Sequence, residues 1–578
     1  VIDQIVARGD GVPTFLTELT RAVLSSDESA VPETLHDSLA AQLDSVGEAR
    51  DVAQVASVIG RAFEMNLLSR VFSGSEATLR RGMDALVAAG VVVAPGIGAG
   101  EAYHFRLSLL RDVAYGTLLK KSQRALHNRI ADILVNELPL AAQADPEGVA
   151  SHLCKAGRSR QAVVWWRRAA QRDGDRGALG ESVSHLEEAV AAMADASPDD
   201  AESAAQLVPL RTDLALALRL IGRFDQAFEL LEGAVDLAMH HDLGAELSRA
   251  YFARGNLCFQ TNRAQECEDS HQMALDVARR VGSIEAEIQA LGGLADAHIL
   301  NGDFPAAARA GRLCVKMADE HGFHRIAAAN APVCAWTSLY SLEFDEAKRL
   351  ASNAIERAKR VGNQRYLNSA YNVSIQVLAT LGEVEQARGY IALLRASEGA
   401  KQDFVETMAE GLVGQLADDR QAATKAVVQV LSGLEPESPH LLPLSSWLVA
   451  TTHDGYDDLL DDLLDLYTSE KGRQVLIWSG LTTIEGLLYR RDWANLLRFV
   501  LAFEAEMVDT IAPMMTAWME ASRAILARVE APDDAQVLHD LEHMRDRIAA
   551  LALLVLARHL QAAIDQPMAL RDVTSLNS

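Results

Sequence analysis

Small and apolar residues recur along the middle of the chain at a fixed spacing of 40 positions. Five segments share this register: Gly222–Ala227, Asn262–Cys267, Gly302–Ala307, Leu342–Ala347 and Gly382–Ala387. Seven positions after each segment comes a further apolar residue, which is small in four of the five cases: Ala234, Ala274, Cys314, Ala354 and Leu394. Seven residues make about two helical turns, so both side chains fall on one helix face. The pattern predicts pairs of helices stacked in a solenoid.

Glycines mark where these helices should end. Three of the five segments open with Gly and one with Asn, residues that tolerate the left-handed conformation of a helix C-cap. A second series, Gly282, Gly322 and Gly362, would end the second helix of each pair. First helices are then expected near 247–260, 287–300, 327–340 and 367–380. The regular glycines, and the absence of a sustained heptad, disfavour a single long coiled coil.

The Gly-x4-Ala-x6-small template resembles the tetratricopeptide family, in the longer form found in large bacterial regulators. The usual tetratricopeptide period is 34 residues, whereas 40 overlaps the lengths of HEAT and armadillo repeats. An earlier copy, Gly157–Ala162 followed by Ala169, places the start of the array near residue 145. We therefore expect repeats over 145–400. Residues 401–578 read as degenerate helical repeats and a C-terminal cap, with a decayed copy at Arg491–Ala494.

The pattern changes before residue 135. Periodicity predicts helices at roughly 34–44, 48–59 and 76–89, followed by two short strands at Val91–Ala94 and Tyr103–Leu107. Three helices and a β-hairpin in this order indicate a winged helix, which we assign to residues 33–135. The expected fold class is all-α: a winged helix with a small β-hairpin, followed by a tetratricopeptide-like α-α superhelix.

Several segments resemble the STAND signal-transduction ATPases, in particular the bacterial kind often joined to adenylate or guanylate cyclase or transcription-factor domains. Gly11-Val-Pro13 is similar to the Gly-x-Pro lid motif of that family, and Val31–Leu35, Val58–Phe63 and Tyr103–Tyr115 are similar to segments of its winged helix. The resemblance implies that residues 1–32 end the helical lid of an ATPase. It also implies that Gly11 and Pro13 lie near the nucleotide.

One position departs from the family pattern. Leu107 stands where the closing motif usually carries a histidine that touches the nucleotide phosphates. This replacement puts phosphate sensing by the winged helix in doubt. For the parent protein the resemblance implies ATP or ADP with Mg, and an upstream ATPase core that contacts this region within the molecule. The chain itself lacks the G-x-x-x-x-G-K-[ST] and G-x-S-x-G patterns, so we expect neither enzymatic activity nor a cofactor in it.

Charge and composition narrow the choice of partners. The chain has 80 acidic and 54 basic residues and a net charge of −26, which disfavours general affinity for nucleic acid or anionic membranes. Five cysteines without a C-x-x-C pair read as small buried hydrophobes in a reducing compartment. The sequence contains no apolar run of 18 residues or more and no signal peptide, so we expect a cytoplasmic protein. Because the pattern is already under way at Val1, we expect a piece of a larger protein.

Two other kinds of site have some support in the sequence. His539 and His543 fit H-x-x-E-H, a zinc spacing, but their charged neighbours are typical of a solvent-facing helix. A winged helix could instead bind DNA through local positive charge, carried here by Arg106, Arg111, Lys120, Lys121, Arg124 and Arg129. We expect neither a metal site nor DNA contact.

The groove between stacked first helices is the expected binding surface. Candidate groove residues combine aromatic and polar groups: Tyr251, Arg254, Asn330, Trp336, Tyr340, Tyr371 and Asn372. Packing between repeats is the alternative role for each. The favoured function is the sensor region of a STAND-type ATPase that binds a protein, peptide or small effector in this groove. The alternatives are a stand-alone interaction scaffold and a winged-helix transcriptional activator.

Overall fold

The computed structural model describes residues 35–95, 102–194, 200–396, 457–469, 473–508, 510–551 and 553–565, with isolated positions at 424, 427, 428 and 446. These residues fall into two compact units, divided between Gln226 and Ala227. The structure does not test the domain limits expected from the sequence, which remain predictions. The lid residues Gly11 and Pro13 lie outside the described residues.

The first unit opens with helices around a small sheet. Its elements are α1 (Leu35–Ser45), α2 (Ala49–Ile59), β1 (Ala62–Glu64), α3 (Met65–Val71), α4 (Glu76–Ala88), β2 (Val92–Val93) and β3 (Ala102–Phe105). The sheet is antiparallel with strand order β1-β3-β2, and Phe63 pairs with Tyr103. The predicted helices and both predicted strands are present. Helix α3 and strand β1 are additions that the periodicity did not indicate, because each is too short to show a period.

Seven helices complete the first unit. They are α5 (Ser108–Gly116), α6 (Lys120–Asn136), α7 (Pro139–Ala144), α8 (Pro146–Lys155), α9 (Ser159–Asp175), α10 (Leu179–Ala191) and α11 (Ala201–Leu220). Helix α8 starts with a proline in its first turn, and the Asp145 side chain accepts a hydrogen bond from the Gly148 amide there. Gly157, with φ of 79°, makes the turn to α9, and Ala162 and Ala169 are fully buried. The early repeat copy is therefore a helix pair.

The second unit begins with nine helices of similar length. They are α12 (Phe224–His240), α13 (Gly244–Gln260), α14 (Ala264–Val281), α15 (Ile284–Asn301), α16 (Phe304–Glu320), α17 (His324–Tyr340), α18 (Phe344–Val361), α19 (Gln364–Thr380) and α20 (Val384–Arg395). From α13 to α20, each helix packs on the next one. The first helices of the predicted pairs are α13, α15, α17 and α19, and all four are confirmed.

A left-handed residue separates consecutive helices every 20 positions. The residues with positive φ in this stretch are Gly222, Asp242, Asn262, Gly282, Gly302, Gly322, Leu342, Gly362 and Gly382. A positive φ lets the chain leave one helix and enter the next within a few residues, which is why Gly dominates the series. All five predicted turn openers and the three predicted helix ends belong to it.

The small residues of the register form the contact between paired helices. Ala227, Cys267, Ala307, Ala347 and Ala387 are all completely buried. Side chains of this size let two helix backbones approach closely, and a larger group would push them apart. Of the cysteines, Cys258, Cys267, Cys314 and Cys334 are buried and Cys154 is half-buried, all with free thiols, as expected for small hydrophobes.

Six further helices follow in the second unit: α21 (Asp457–Ser469), α22 (Arg473–Arg490), α23 (Trp493–Glu506), α24 (Pro513–Glu530), α25 (Ala535–Ala550) and α26 (Leu554–Asp565). Helix α22 contacts α15, and α24 contacts α17. Two backbone hydrogen bonds join the segments: the Ile511 amide donates to the Gly302 carbonyl, and the Phe304 amide donates to the Ile511 carbonyl. Among the helices that the structure describes, none is long and apolar enough to span a membrane.

Candidate functional site

A cavity of about 380 Å³ opens on the first helices of the array. Its lining comes from α13, α15, α17 and α19, and we call it the groove cavity. The polar side chains on its wall include Asn256, Gln289, Asp296 and Asn330. Phe252 and Tyr366 add aromatic surface. A volume of a few hundred Å³ with a few convergent polar groups is typical of small-ligand sites.

The 40-residue period explains why these side chains meet. Residues 40 apart occupy equivalent positions on successive first helices, so Asn256, Asp296, Trp336 and Gln376 form one row, which we call the register row. One hydrogen bond shows that neighbours in this row are close: the Trp336 Nε1 donates to the Gln376 Oε1 at 3.0 Å. Asn256 and Asp296, two members of the same row, line the groove cavity.

Two consecutive glycines, Gly292 and Gly293, form part of the cavity lining on α15. A glycine inside a helix costs about 1 kcal/mol relative to alanine, so the pair needs a structural reason. A Cβ at Gly293 would lie 2.2 Å from the Nδ1 atom of His271, and one at Gly292 would lie 2.7 Å from the Oδ1 atom of Asn330. The glycines therefore make room for both side chains and leave bare backbone facing the cavity.

His271, on the second helix α14, lies behind this glycine pair. Its side chain is completely buried, and neither ring nitrogen has a hydrogen-bond partner among the described residues. Gly255 also makes room for the ring, and Phe252 meets it with the ring centroids 5.5 Å apart. Burial lowers the pKa of His271 to about 4, because the charged imidazolium would lose its hydration without gaining a partner. At neutral pH the ring is uncharged.

Asp296 is the acidic group of the groove cavity. No hydrogen bond or ion pair to its carboxylate occurs among the residues that the structure describes. Burial raises the pKa of Asp296 to about 7, and no charge on a described residue opposes that effect. Arg325, which also lines the cavity, is exposed at its edge. A carboxylate in this setting can accept hydrogen bonds from a cationic ligand, or donate one when protonated.

Three of the predicted groove residues lie near this surface. Asn330 lines the cavity, and its Nδ2 donates to the Ile326 carbonyl at 3.0 Å. Trp336 belongs to the register row. Asn372 accepts a hydrogen bond from Gln376 at 3.4 Å, so it lies beside the same row.

The other four predicted groove residues contact neighbouring helices. Tyr251, Tyr340 and Tyr371 are all at least 92 % buried. The Tyr251 hydroxyl donates to the Met239 sulfur at 3.7 Å, Tyr340 stacks on Phe304 with centroids 5.2 Å apart, and Tyr371 packs against Tyr390 at 5.6 Å. Arg254 lies 3.9 Å from the Glu266 carboxylate. Contact of these four with an effector stays a prediction that the structure leaves untested.

Sequence reasoning missed Asp296, although the signal was available. Trp336 is a predicted groove residue, and the positions 40 and 80 residues before it are Asp296 and Asn256. The predicted groove residues are aromatic or polar side chains and do not share one register position. Aromatic groups were preferred, and these are the groups that inter-helix packing uses most readily.

The zinc-spaced histidines and the basic residues of the first unit do not form a comparable cavity among the described residues. His539 and His543 lie on the exposed face of α25, and the described residues contain no group of three or more side chains able to hold a metal ion. Of the six basic residues considered for DNA contact, four are arginines that donate to backbone carbonyls: Arg106 to Gly90, Arg111 to Ser57, Arg124 to Ala156 and Arg129 to Arg70. These guanidinium groups are engaged in the fold itself.

Comparison with known proteins adds little to the assignment. No family model matches the chain. An uncharacterised protein of Rhizobium meliloti (strain 1021) is 26% identical over 249 residues, which cover 41% of this chain and 24% of that protein. The match thus spans about a quarter of the length of that relative.

Solved structures with similar architecture share little sequence. A STAND protein with a tetratricopeptide repeat sensor from Pyrococcus horikoshii has a TM-score of 0.36 and 13% identity, over 87% of this chain and 71% of that one. A Rap protein complexed with competence and sporulation factor has a TM-score of 0.39 and 12% identity, over 67% and 92%. The quorum sensor NprR from B. thuringiensis has a TM-score of 0.36 and 15% identity, over 62% and 98%. With TM-scores below 0.5 these similarities add nothing to the helix pairs described above, and those pairs make the chain an all-α protein of tetratricopeptide-like repeats.

Proposed function

We propose that this chain is the sensor region of a STAND-type signalling ATPase and that its effector binds in the groove cavity. The observation that carries the proposal is the unpartnered Asp296 carboxylate in a cavity lined by four first helices. Side chains that serve only packing bury apolar surface or satisfy one another, as Trp336 and Gln376 do. A half-buried carboxylate without a partner is poorly hydrated, and a ligand that pairs with it would offset the free-energy cost.

The first unit supports the remainder of the proposal. The order α2-β1-α3-α4-β2-β3 supports the winged helix expected from the sequence. The segment that resembles the family's closing motif forms β3 and α5, and Leu107 lies at the start of α5, packed against the buried core. An apolar side chain in that position has no group to offer a phosphate. Nucleotide and Mg would therefore be held by the upstream ATPase core, with Gly11 and Pro13 as part of its lid.

Filling the cavity tests the effector site. Ala329 is exposed on α17 and lines the cavity, so Ala329→Trp should occupy it without disturbing the core. We expect the low-molecular-mass fraction of a native cell extract to raise the thermal midpoint of the wild-type protein and not that of the variant, because ligand binding stabilises the folded state by mass action.

Ala549→Trp on the exposed face of α25 is the matched control and should keep the response. An equal response from Ala329→Trp would place the effector elsewhere. No response from the wild-type protein would contradict the proposal.

The link to an ATPase needs a separate measurement. The intact mass of the protein from its native cells, with peptide mapping upstream of Val1, should exceed 62.6 kDa and include a G-x-x-x-x-G-K-[ST] segment. A native product of about that mass without such a segment would favour the stand-alone interaction scaffold. The DNA-binding activator is not proposed, since the four arginines named above serve the fold.

A further inference from the structure

We infer that the groove cavity selects a cationic effector, whose protonated amine is seated on the carboxylate of Asp296. The inference rests on the proposed function and specifies the chemistry of the ligand. It depends on the position and surroundings of Asp296, which lies on the first helix α15 within the cavity wall.

Among the residues that the structure describes, no cation pairs with this carboxylate. Two basic side chains near the cavity do not pair with it: Arg325 is exposed and forms no ion pair with Asp296, and His271 is an uncharged ring behind Gly293. The groups whose charges couple to Asp296 are the thiols of Cys267, Cys314 and Cys334, which burial keeps protonated. Negative charge on Asp296 is therefore unbalanced until a cation enters from the groove.

The surrounding wall suits an amine carried on a peptide. Amide side chains of Asn256, Gln289 and Asn330 can donate to and accept from a peptide backbone. The rings of Phe252 and Tyr366 offer apolar surface to a side chain and a π face to a cation. A cavity of about 380 Å³ accommodates a segment of a few residues and not a folded domain.

The alternative to a cationic ligand is a neutral ligand that binds protonated Asp296. A protonated Asp296 could donate a hydrogen bond to a carbonyl oxygen of a neutral ligand. Asparagine has nearly the shape of a protonated aspartate and also donates, so Asp296→Asn separates the two cases. The variant should strongly weaken binding of a cation and should preserve binding of a neutral acceptor.

The experiment uses two random pentapeptide libraries passed over the immobilised full chain. The first carries free amino termini and includes Lys; the second has acetylated termini and lacks Lys, Arg and His. We expect retained peptides from the first library only, and we expect Asp296→Asn to weaken the best of them by about 30-fold or more, because a buried charge pair loses one partner. Circular dichroism and the thermal midpoint of the variant establish that it is folded.

Asp276→Asn is the matched control, since Asp276 is exposed on α14 and the substitution removes the same charge outside the cavity. It should leave the affinity unchanged. A loss equal to that of Asp296→Asn would mean that the affinity depends on the net charge of the protein and not on the position of Asp296. Equal retention of both libraries, or full binding by Asp296→Asn, would overturn the cationic assignment while the groove site stands. Peptides whose affinity is the same in wild type and Ala329→Trp, or no retained peptide from either library, would contradict both the groove site and the inference.

Discussion

The two halves of the register row differ in chemistry although they share one geometry. Asn256 and Asp296 face the open cavity, and the Asp296 carboxylate has no partner among the described residues. Trp336 and Gln376, 40 and 80 positions after Asp296, are hydrogen-bonded to each other. The repeat determines where each side chain lies, whereas the local residue types decide whether that place is packed or left for a ligand.

The contacts around Trp336 account for the packed half. Phe304 is completely buried, with its ring centroid 5.2 Å from those of both Trp336 and Tyr340. The backbone of Phe304 is hydrogen-bonded to Ile511, so the segment before α24 lies over this end of α16. The cavity half has no such cover from the described residues, and its polar groups meet open space instead.

The largest expected difference concerns the stability of the two halves. Trp336→Ala should lower the free energy of unfolding by about 3–5 kcal/mol, because it removes a large ring from an aromatic cluster and leaves a cavity. Denaturant unfolding followed by circular dichroism measures the loss. Asn256→Ala, at the equivalent position beside the groove cavity, should change stability by less than about 1 kcal/mol. Comparable losses in the two variants would mean that the halves do not differ as described.

The second difference is in the dependence of stability on pH. The pKa of Asp296 is raised from 3.8 to about 7 in the folded state, so its contribution to stability is full below pH 4 and is lost as the pH rises towards 7. Asp296→Asn should therefore be more stable than wild type at pH 8, by about 1–3 kcal/mol for a side chain that is partly exposed, and the gap should close near pH 4. Unfolding curves at several pH values measure this gap.

His271 should give the opposite dependence of stability on pH and therefore serves as an internal control. Its pKa falls from 6.5 to about 4 on folding, so its contribution to stability is present above pH 6.5 and is lost as the pH falls towards 4. His271→Leu should flatten the acid side of the stability curve and leave the alkaline side unchanged. A flattening on the alkaline side, or none at all, would show that the ring is not the buried neutral group described.

The smallest expected effect concerns the turns that carry both halves. Leu342 has a φ of 64° where Gly302 and Gly382 have 78° and 79°. A left-handed conformation costs a residue with a Cβ about 1–2 kcal/mol. Glycine avoids this cost, but it loses more conformational entropy on folding, which cancels part of the advantage. Leu342→Gly should raise the free energy of unfolding by about 0.5 kcal/mol, and Gly382→Leu should lower it by about 1–2 kcal/mol. The same change of sign should appear in the thermal midpoints.

Much of the fold could be predicted because each repeat contains its own turn residues, which end one helix and allow the next to begin. The turn openers at 222, 262, 302, 342 and 382 all adopt the left-handed conformation that the pattern required, including the Asn and Leu members. The small residues of the register are buried because they lie where paired helices approach closely, as the spacing predicts. Strand β1 and helix α3 escaped prediction since three and seven residues are too few to show a period.

The candidate site was harder to predict because side-chain type is ambiguous on a buried helix. Tyr251 and Tyr371 occupy equivalent positions, and both pack against neighbouring helices, while their contact with an effector stays a prediction. Aromatic rings serve packing and recognition equally well, so their presence does not discriminate. An aspartate on a largely buried helix is more informative, since packing alone gives it nothing to pair with.

The sequence by itself determined the helix lengths, the turns between them and the row on which Asp296, Trp336 and Gln376 lie, because all of these follow from local propensity and a fixed period. Tertiary structure alone decided which members of that row are paired and which face a cavity. That outcome depends on residues far apart in the chain: Ile511 on Phe304, and His271 behind Gly293. The repeat period cannot predict such contacts. It relates equivalent positions of successive repeats, whereas these contacts come from other segments that fold onto the repeats.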